Sequence, residues 1–216
     1  MILIGQYDSP FVRRVAVALE LWGLDFDQQP LSVWADADQL AAINPMRRVP
    51  TLVLDDGEVL IESSAILDAL DEMVGPARAM LPPSGPDRRR ALKVCALSTG
   101  LADKAVSLFY EGLLHEAPSQ TWIDRCHAQI GDVLTALEAD RALSASAFWF
   151  GDGVSHADIA AACALRFTRE AHPGLFDPAR WPKLAAHGEQ CEALPAFQAI
   201  CQPLTVTMKA GDSGAT

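Results

Sequence analysis

The sequence predicts an α/β unit followed by an all-α helical unit. Three observations carry that prediction. Strand and helix patterns alternate up to residue 76, and every apolar run from about residue 87 onward has the helical period. Between them Gly75-Pro76 and Leu81-Pro82-Pro83-Ser84-Gly85-Pro86 form a connector that continues neither helix nor sheet. The expected organisation is a first domain over 1–76, a linker over 77–86 and a helical domain over 87–216.

The elements follow in order. Ile2 to Gly5 reads as a short apolar strand. Pro10 to Trp22 reads as a helix, with Pro10 suited to a first helical position, Val12, Val15, Ala16, Leu19 and Trp22 at helical spacing, and Gly23 as its stop. Phe26 to Leu31 reads as a second strand and Asp38 to Ile43 as a short helix stopped by Asn44-Pro45. Thr51 to Leu54 and Glu58 to Ile61 make a hairpin around Asp55-Asp56-Gly57. Ser63 then opens a helix that ends at Gly75-Pro76. This order gives a mixed four-stranded sheet with helices packed on it.

In the second domain, Trp122, Cys126, Ile130, Val133, Leu134 and Leu137 form one helical stripe, and Ile159, Cys163 and Phe167 another. Ser155-His156-Ala157-Asp158 has the spacing of a capping box, with Asp in the usual Glu place, and reads as a folding device. Residues from about Lys209 to Thr216 are small and polar and are expected to fray.

Composition narrows the function classes. With 28 acidic against 17 basic residues and a net charge of −11, the chain is not expected to take nucleic acid or an anionic membrane as its partner. Arg88, Arg89 and Arg90 are the one basic triplet and read as a solvated helix start. No apolar run reaches the roughly 20 residues that span a bilayer, and the amino terminus enters a strand without a basic leader, so a cytoplasmic location is expected. The five cysteines (Cys95, Cys126, Cys163, Cys191 and Cys201) are widely spaced within apolar patterns and read as reduced core thiols. Without CxxC, HxH or HExxH, no metal site is expected.

Three places carry chemistry. Ser9 precedes a helix start, where a hydroxyl and unpaired N–H groups meet the positive end of the helix dipole; Ser9 is either a plain cap or part of an anion site. Val49-Pro50 enters a strand at a turn, where a cis bond is tolerated and would turn the Val49 amide groups outward to pair with an extended peptide; an ordinary trans proline is the alternative. Glu62-Ser63 places an acid suited to an ammonium beside a helix start suited to a carboxylate, or a simple N-cap at Ser63.

The order of these places resembles the cytosolic glutathione S-transferase family, in its serine-type, bacterial-like form. The matching stretches are Tyr7 to Val15, Asn44 to Leu52, Glu62 to Ile66 and the Ser155 to Asp158 box, so the likeness spans nearly the full length. It implies a thioredoxin-like first domain, an all-helical second domain, a homodimer, and glutathione as thiol co-substrate with no further cofactor. It also implies that Ser9 donates to the glutathione sulfur, that Val49 and cis-Pro50 pair with the cysteinyl backbone, that Glu62 and Ser63 hold the γ-glutamyl end and that Arg48 takes the glycyl carboxylate, with Arg47 as the competing arginine. Tyr7 competes with Ser9 for the sulfur, Asp103 is a candidate group across the subunit interface, and Arg13 and Arg14 read as structural. Phe11, Trp34, Phe109, Tyr110 and Leu113 are candidates to line an apolar cleft for a hydrophobic electrophile, or plain core.

Magnitudes fit that chemistry. Lowering a thiol pKa from about 8.5 to about 6.5 takes roughly 2.7 kcal/mol. A hydrogen bond to the charged sulfur supplies about 1.5–3 kcal/mol and the helix start roughly 0.3–1 more, so neither a metal nor a general base is required. Serine rather than cysteine at position 9 favours conjugation over disulfide reduction. The alternatives are a glutathione-dependent isomerase or dehalogenase, although the Ser-Ser-Cys pattern of the isomerase branch is absent, or a non-catalytic scaffold of the same fold.

Overall fold

In the computed structural model, which describes residues 1–206, the chain forms two compact units: 1–78 together with 199–206, and 79–198. The first unit runs β1 (Ile2–Ile4), α1 (Pro10–Trp22), β2 (Asp27–Gln29), α2 (Ala37–Ile43), β3 (Thr51–Val53), β4 (Val59–Ile61) and α3 (Ser63–Val74). The strands form one sheet in the order β2-β1-β3-β4, with β1 and β2 parallel and the other pairs antiparallel.

The expected elements are present, with the strands shortened to three residues each. Both ends of α1 follow from its sequence. Ser9 sits at the N-cap ahead of Pro10, and Gly23 closes the helix in the left-handed region (φ 64°, ψ 37°) with its N–H returned to the last turn. Val12, Val15, Ala16 and Leu19 are fully buried, and α1 packs beside α3 over β1 and β3. One expectation changes at α3: Glu62 occupies the N-cap and Ser63 is the first helical residue, because β4 ends at Ile61 and leaves only Glu62 to make the turn.

The tail also differs from the sequence reading, which placed everything past 87 in the helical domain. Arg13 on α1 is buried, and its Nε donates to the carbonyl of Ile200 at 2.8 Å, fastening the last described segment to the first unit. No local periodicity encodes such a return. The segment from Lys209 to Thr216, expected to fray, lies outside the described residues. The start of the linker is fixed as well: Trp22 Nε1 donates to the Arg78 carbonyl at 2.9 Å, and Arg78 donates back to the Trp22 carbonyl.

The second unit holds α4 (Gly85–Leu114), α5 (Gln120–Arg141), α6 (His156–Ala171), α7 (Pro182–Glu192) and α8 (Pro195–Ala199), with α4 packed on α5 and α6, and α7 on both α5 and α6. Arg90 is not simply solvated: its guanidinium grips Asp140 on α5, with Nη2 to Oδ1 at 2.8 Å. Four of the five cysteines are buried and in no disulfide; Cys201 is exposed instead, because it falls on the tail after α8.

The capping box at α6 does more than end a helix. Asp158 is fully buried, and its carboxylate accepts from Ser155 N at 2.8 Å, Ser155 Oγ at 2.5 Å and Trp149 N at 2.8 Å. His187 Nε2 of α7 lies 3.4 Å from the same carboxylate, while Arg141 Nε donates to His187 Nδ1 at 3.3 Å. A ring whose Nδ1 accepts carries its proton on Nε2, so His187 is neutral and donates toward Asp158. Burial outweighs the pull of Asp158 and lowers the His187 pKa from 6.5 to about 4. Among the described residues no helix is long and apolar enough to cross a membrane.

Candidate active site

Sheet register gathers the three predicted places at one end of the first unit. Ile4 pairs with Thr51, and Thr51 with Ile61, so these residues form one row across β1, β3 and β4. Ser9 lies just beyond the end of β1, Pro50 directly precedes Thr51, and Glu62-Ser63 directly follow Ile61. Residues distant in sequence thus share one edge because three short strands are paired in that register.

Gly5 makes the convergence tight, and sequence reasoning did not single it out. Its φ is 129°, and a Cβ there would stand 2.5 Å from Val12 Cγ2 and 2.9 Å from Val49 Cβ. The end of β1, the first turn of α1 and the turn carrying Val49 therefore touch through a position only glycine fits. A glycine closing a strand directly before a Ser-Pro helix start was the available signal.

Ser9 caps α1. Its Oγ accepts from Val12 N at 3.4 Å, a long capping bond, and its own N donates to Gln6 O at 3.2 Å. Accepting through a lone pair leaves the hydroxyl proton available to donate outward at the positive end of α1. The Tyr7 phenol is held above its ordinary pKa, first by burial and then by Glu20, which stands near the far end of α1.

The Val49–Pro50 peptide bond is cis. Val49 precedes the β3 ladder, which starts at Thr51, so its backbone groups lie outside the sheet pairing. The turn that presents it is anchored by Asn44, a buried side chain whose Nδ2 donates to the Arg48 carbonyl at 3.0 Å and to Thr51 Oγ1 at 3.1 Å, and whose Oδ1 accepts from Met46 N at 3.0 Å. Asn44 was read as a helix stop; the structure adds this second role.

The two neighbouring arginines separate. Arg47, at φ 51°, turns its guanidinium to Asp38 of α2 at 3.2 Å. Arg48 turns the other way, with Nη1 3.6 Å from Glu62 Oε1, at side-chain exposures of 56% and 51%. Glu62 itself sits at φ 66°, a conformation that costs a non-glycine residue about 1–3 kcal/mol and concentrates at functional sites. Ser63 beside it is 3% exposed and opens α3, so its hydroxyl and the first amides of that helix lie together.

The apolar candidates divide between the units. Phe11 in the first turn of α1 and Trp34 between β2 and α2 are half-buried in the first unit. Phe109, Tyr110 and Leu113 share one side of α4 in the second; Phe109 meets Tyr110 edge-on at 5.7 Å, Phe167 at 6.2 Å and His172 at 6.4 Å. His172 joins this aromatic group through a bond from its ring to the Ala105 carbonyl at 2.8 Å, and burial lowers its pKa. Asp103 pairs with Lys104 at 2.9 Å.

Comparison with known proteins decides the family. Residues 3–78 match the glutathione S-transferase N-terminal domain, and residues 120–187 match the glutathione S-transferase C-terminal domain. Glutathione S-transferase 3 of Zea mays is 31% identical, with 91% of this chain and 90% of that protein covered. The chain belongs to the glutathione S-transferase family. Within that family it is also similar to the maleylacetoacetate isomerase of Pseudomonas aeruginosa, at 30% identity over 92% of this chain and 94% of that one. Among solved structures, a glutathione S-transferase from Methylobacterium radiotolerans in complex with glutathione sulfonate superposes with a TM-score of 0.88 at 29% identity, covering 96% of this chain and 97% of that one. The fold is accordingly the thioredoxin-like domain plus helical domain of the glutathione S-transferases. The N-terminal match contains Ser9, Arg48, Val49, Pro50, Glu62 and Ser63; the C-terminal match runs from the start of α5 into α7.

Proposed function

We propose that this glutathione S-transferase activates the glutathione thiol at Ser9 and directs the thiolate onto a hydrophobic electrophile. The observation that carries the reading is the row of Ile4, Thr51 and Ile61, which sets Ser9, Val49-Pro50 and Glu62-Ser63 around one end of the sheet. Along that edge stand an amide pair for a peptide backbone, an acid for an ammonium, a cation for a carboxylate and a hydroxyl at a helix start for a sulfur. That set is complementary to γ-glutamyl-cysteinyl-glycine.

In this reading the thiol proton passes to solvent, and Ser9 Oγ–H with the first amides of α1 holds the sulfur as thiolate. Val49 pairs with the cysteinyl backbone beside cis-Pro50, Glu62 and Ser63 take the γ-glutamyl end, and Arg48 takes the glycyl carboxylate while Arg47 stays with Asp38. The sulfur forms a bond to an electrophilic carbon, and a leaving group such as halide departs with its electron pair. Glutathione enters as co-substrate and no resident cofactor takes part. Phe109, Tyr110 and Leu113 on α4 are the second unit's candidates for apolar contact with the electrophile, and Phe11 and Trp34 are the first unit's. A homodimer, a cytoplasmic location and a role in detoxification accompany this reading.

The test is conjugation of glutathione to an activated aryl halide, with Ser9→Ala as control: turnover that collapses in the variant supports the assignment, and equal turnover removes Ser9 from its role. The likeness to maleylacetoacetate isomerase favours a second reading, glutathione-dependent isomerisation. It predicts a rearranged product that carries no glutathione at the end of the reaction.

A further inference from the structure

The loop that delivers Ser9 is short of bonds of its own. It leaves the sheet at Gly5, whose N donates to Gln29 O at 2.9 Å, and its internal turn is closed by Ser9 N to Gln6 O at 3.2 Å. Ser9 Oγ is tied back to α1 by a long bond, 3.4 Å from Val12 N. A hydroxyl that must meet a sulfur within a few tenths of an ångström needs firmer support than this.

The support comes from the far end of the chain. Tyr7 N donates to Gln202 Oε1 at 3.0 Å. Asp8 Oδ2 accepts from Thr205 N at 3.0 Å and from Thr205 Oγ1 at 3.3 Å. Gln202 Nε2 also reaches Thr205 Oγ1 at 3.4 Å, linking the two anchors, and Arg13 Nε fixes the start of the segment at the Ile200 carbonyl at 2.8 Å. These contacts bracket Ser9 on both sides, at Tyr7-Asp8 before it and Arg13 after it, and all belong to the first unit.

We propose that residues 200–205 form a brace for the thiolate-activating loop, with Gln202 and the Asp8–Thr205 pair as positioning residues for Ser9. The segment carries no group to the sulfur; it acts by holding two peptide units next to Ser9 at fixed places. The inference rests on the reading of Ser9 as the donor to the glutathione thiolate.

The decisive experiment titrates the thiol of glutathione bound to the full-length protein by its ultraviolet thiolate absorbance, alongside kcat and KM with an activated aryl halide. Gln202→Met removes the acceptor of Tyr7 N, whereas Gln202→Glu keeps one. The expected result is a bound-thiol pKa about one unit higher and kcat about tenfold lower in Gln202→Met, with KM for glutathione within about twofold and recovery in Gln202→Glu. Thr205→Pro, at an exposed position outside helix and strand, removes both donors to Asp8 and is expected to act in the same direction, with Thr205→Ser as its conservative partner. A bound-thiol pKa unchanged in folded Gln202→Met or Thr205→Pro overturns the brace. If Gln202→Met fails to fold, Thr205→Pro decides. A Ser9→Ala arm separates the two layers: if it raises the thiol pKa and the brace variants do not, only the brace fails; if it too leaves the pKa unchanged, the Ser9 reading fails first.

Discussion

Arg48 and Glu62 pair Nη1 to Oε1 at 3.6 Å, from the turn before β3 and the turn after β4. Both side chains are about half exposed, so the pair adds little to stability, on the order of 0–1 kcal/mol. Its interest is that each partner has a better use: a guanidinium suits a glycyl carboxylate, and a carboxylate suits an α-ammonium.

Arg48→Ala is therefore expected to raise KM for glutathione roughly 10-fold or more, corresponding to a lost charge-assisted bond of about 1.5–3 kcal/mol, while kcat changes little. Arg47→Ala, which loses a contact to Asp38, is expected to leave KM near wild type. Steady-state kinetics on the two variants checks the division. Equal effects would contradict it.

Gly5→Ala is expected to damage fold and activity together. The added Cβ would have to displace Val12 and Val49, which border Ser9 and Pro50, at a φ of 129° unfavourable to any side chain. A loss of about 1–3 kcal/mol in denaturant unfolding is expected, together with a disproportionate fall in kcat/KM measured on the folded fraction. Retention of full activity would show that the convergence at Gly5 does not position the site.

The buried ring at His187 sets an acid limit on stability. Its pKa is lowered from 6.5 to about 4 in the fold, so the unfolded chain binds the extra proton throughout that interval. Stability is full above about pH 6.5 and declines as pH falls toward about 4. His187→Gln keeps an acceptor for Arg141 and a donor for Asp158 without titrating. Urea unfolding at pH 7 and pH 5 is expected to show a smaller pH-dependent loss in this variant than in the wild type. Identical slopes would contradict the neutral-ring assignment.

Asp158→Ala removes the acceptor shared by Ser155 N, Ser155 Oγ, Trp149 N and His187. Stranding that many buried donors is expected to cost about 3–5 kcal/mol, visible as loss of folded protein in thermal or urea denaturation. Glutathione affinity of the fraction that folds is expected to stay near wild type.

Much of the candidate site was legible in the sequence because its signals are local. Ser9-Pro10 marks a helix start by side-chain chemistry, Val49-Pro50 marks a turn into a strand, and Glu62-Ser63 stands where a strand pattern gives way to a helical one. What escaped depends on distant partners. Gly5 is a glycine because of Val12 and Val49, and the tail returns to α1 because Arg13 meets Ile200, which no window of neighbouring residues encodes. The separation of Arg47 from Arg48 is set by a positive φ at Arg47, which identical side chains in a loop do not announce. The capping box was visible as a spacing; that its carboxylate also meets His187 was not, because α7 is a separate element.

The central claim is that the Ser9 hydroxyl and the start of α1 keep the glutathione sulfur ionised. Titration of the bound thiol in wild type and Ser9→Ala tests it most directly. The account predicts a wild-type pKa about two units below that of free thiol, returning most of the way in the variant, since the hydroxyl supplies the larger share of roughly 2.7 kcal/mol. A bound thiol that titrates like free glutathione in the wild type, or identically in both proteins, would contradict it.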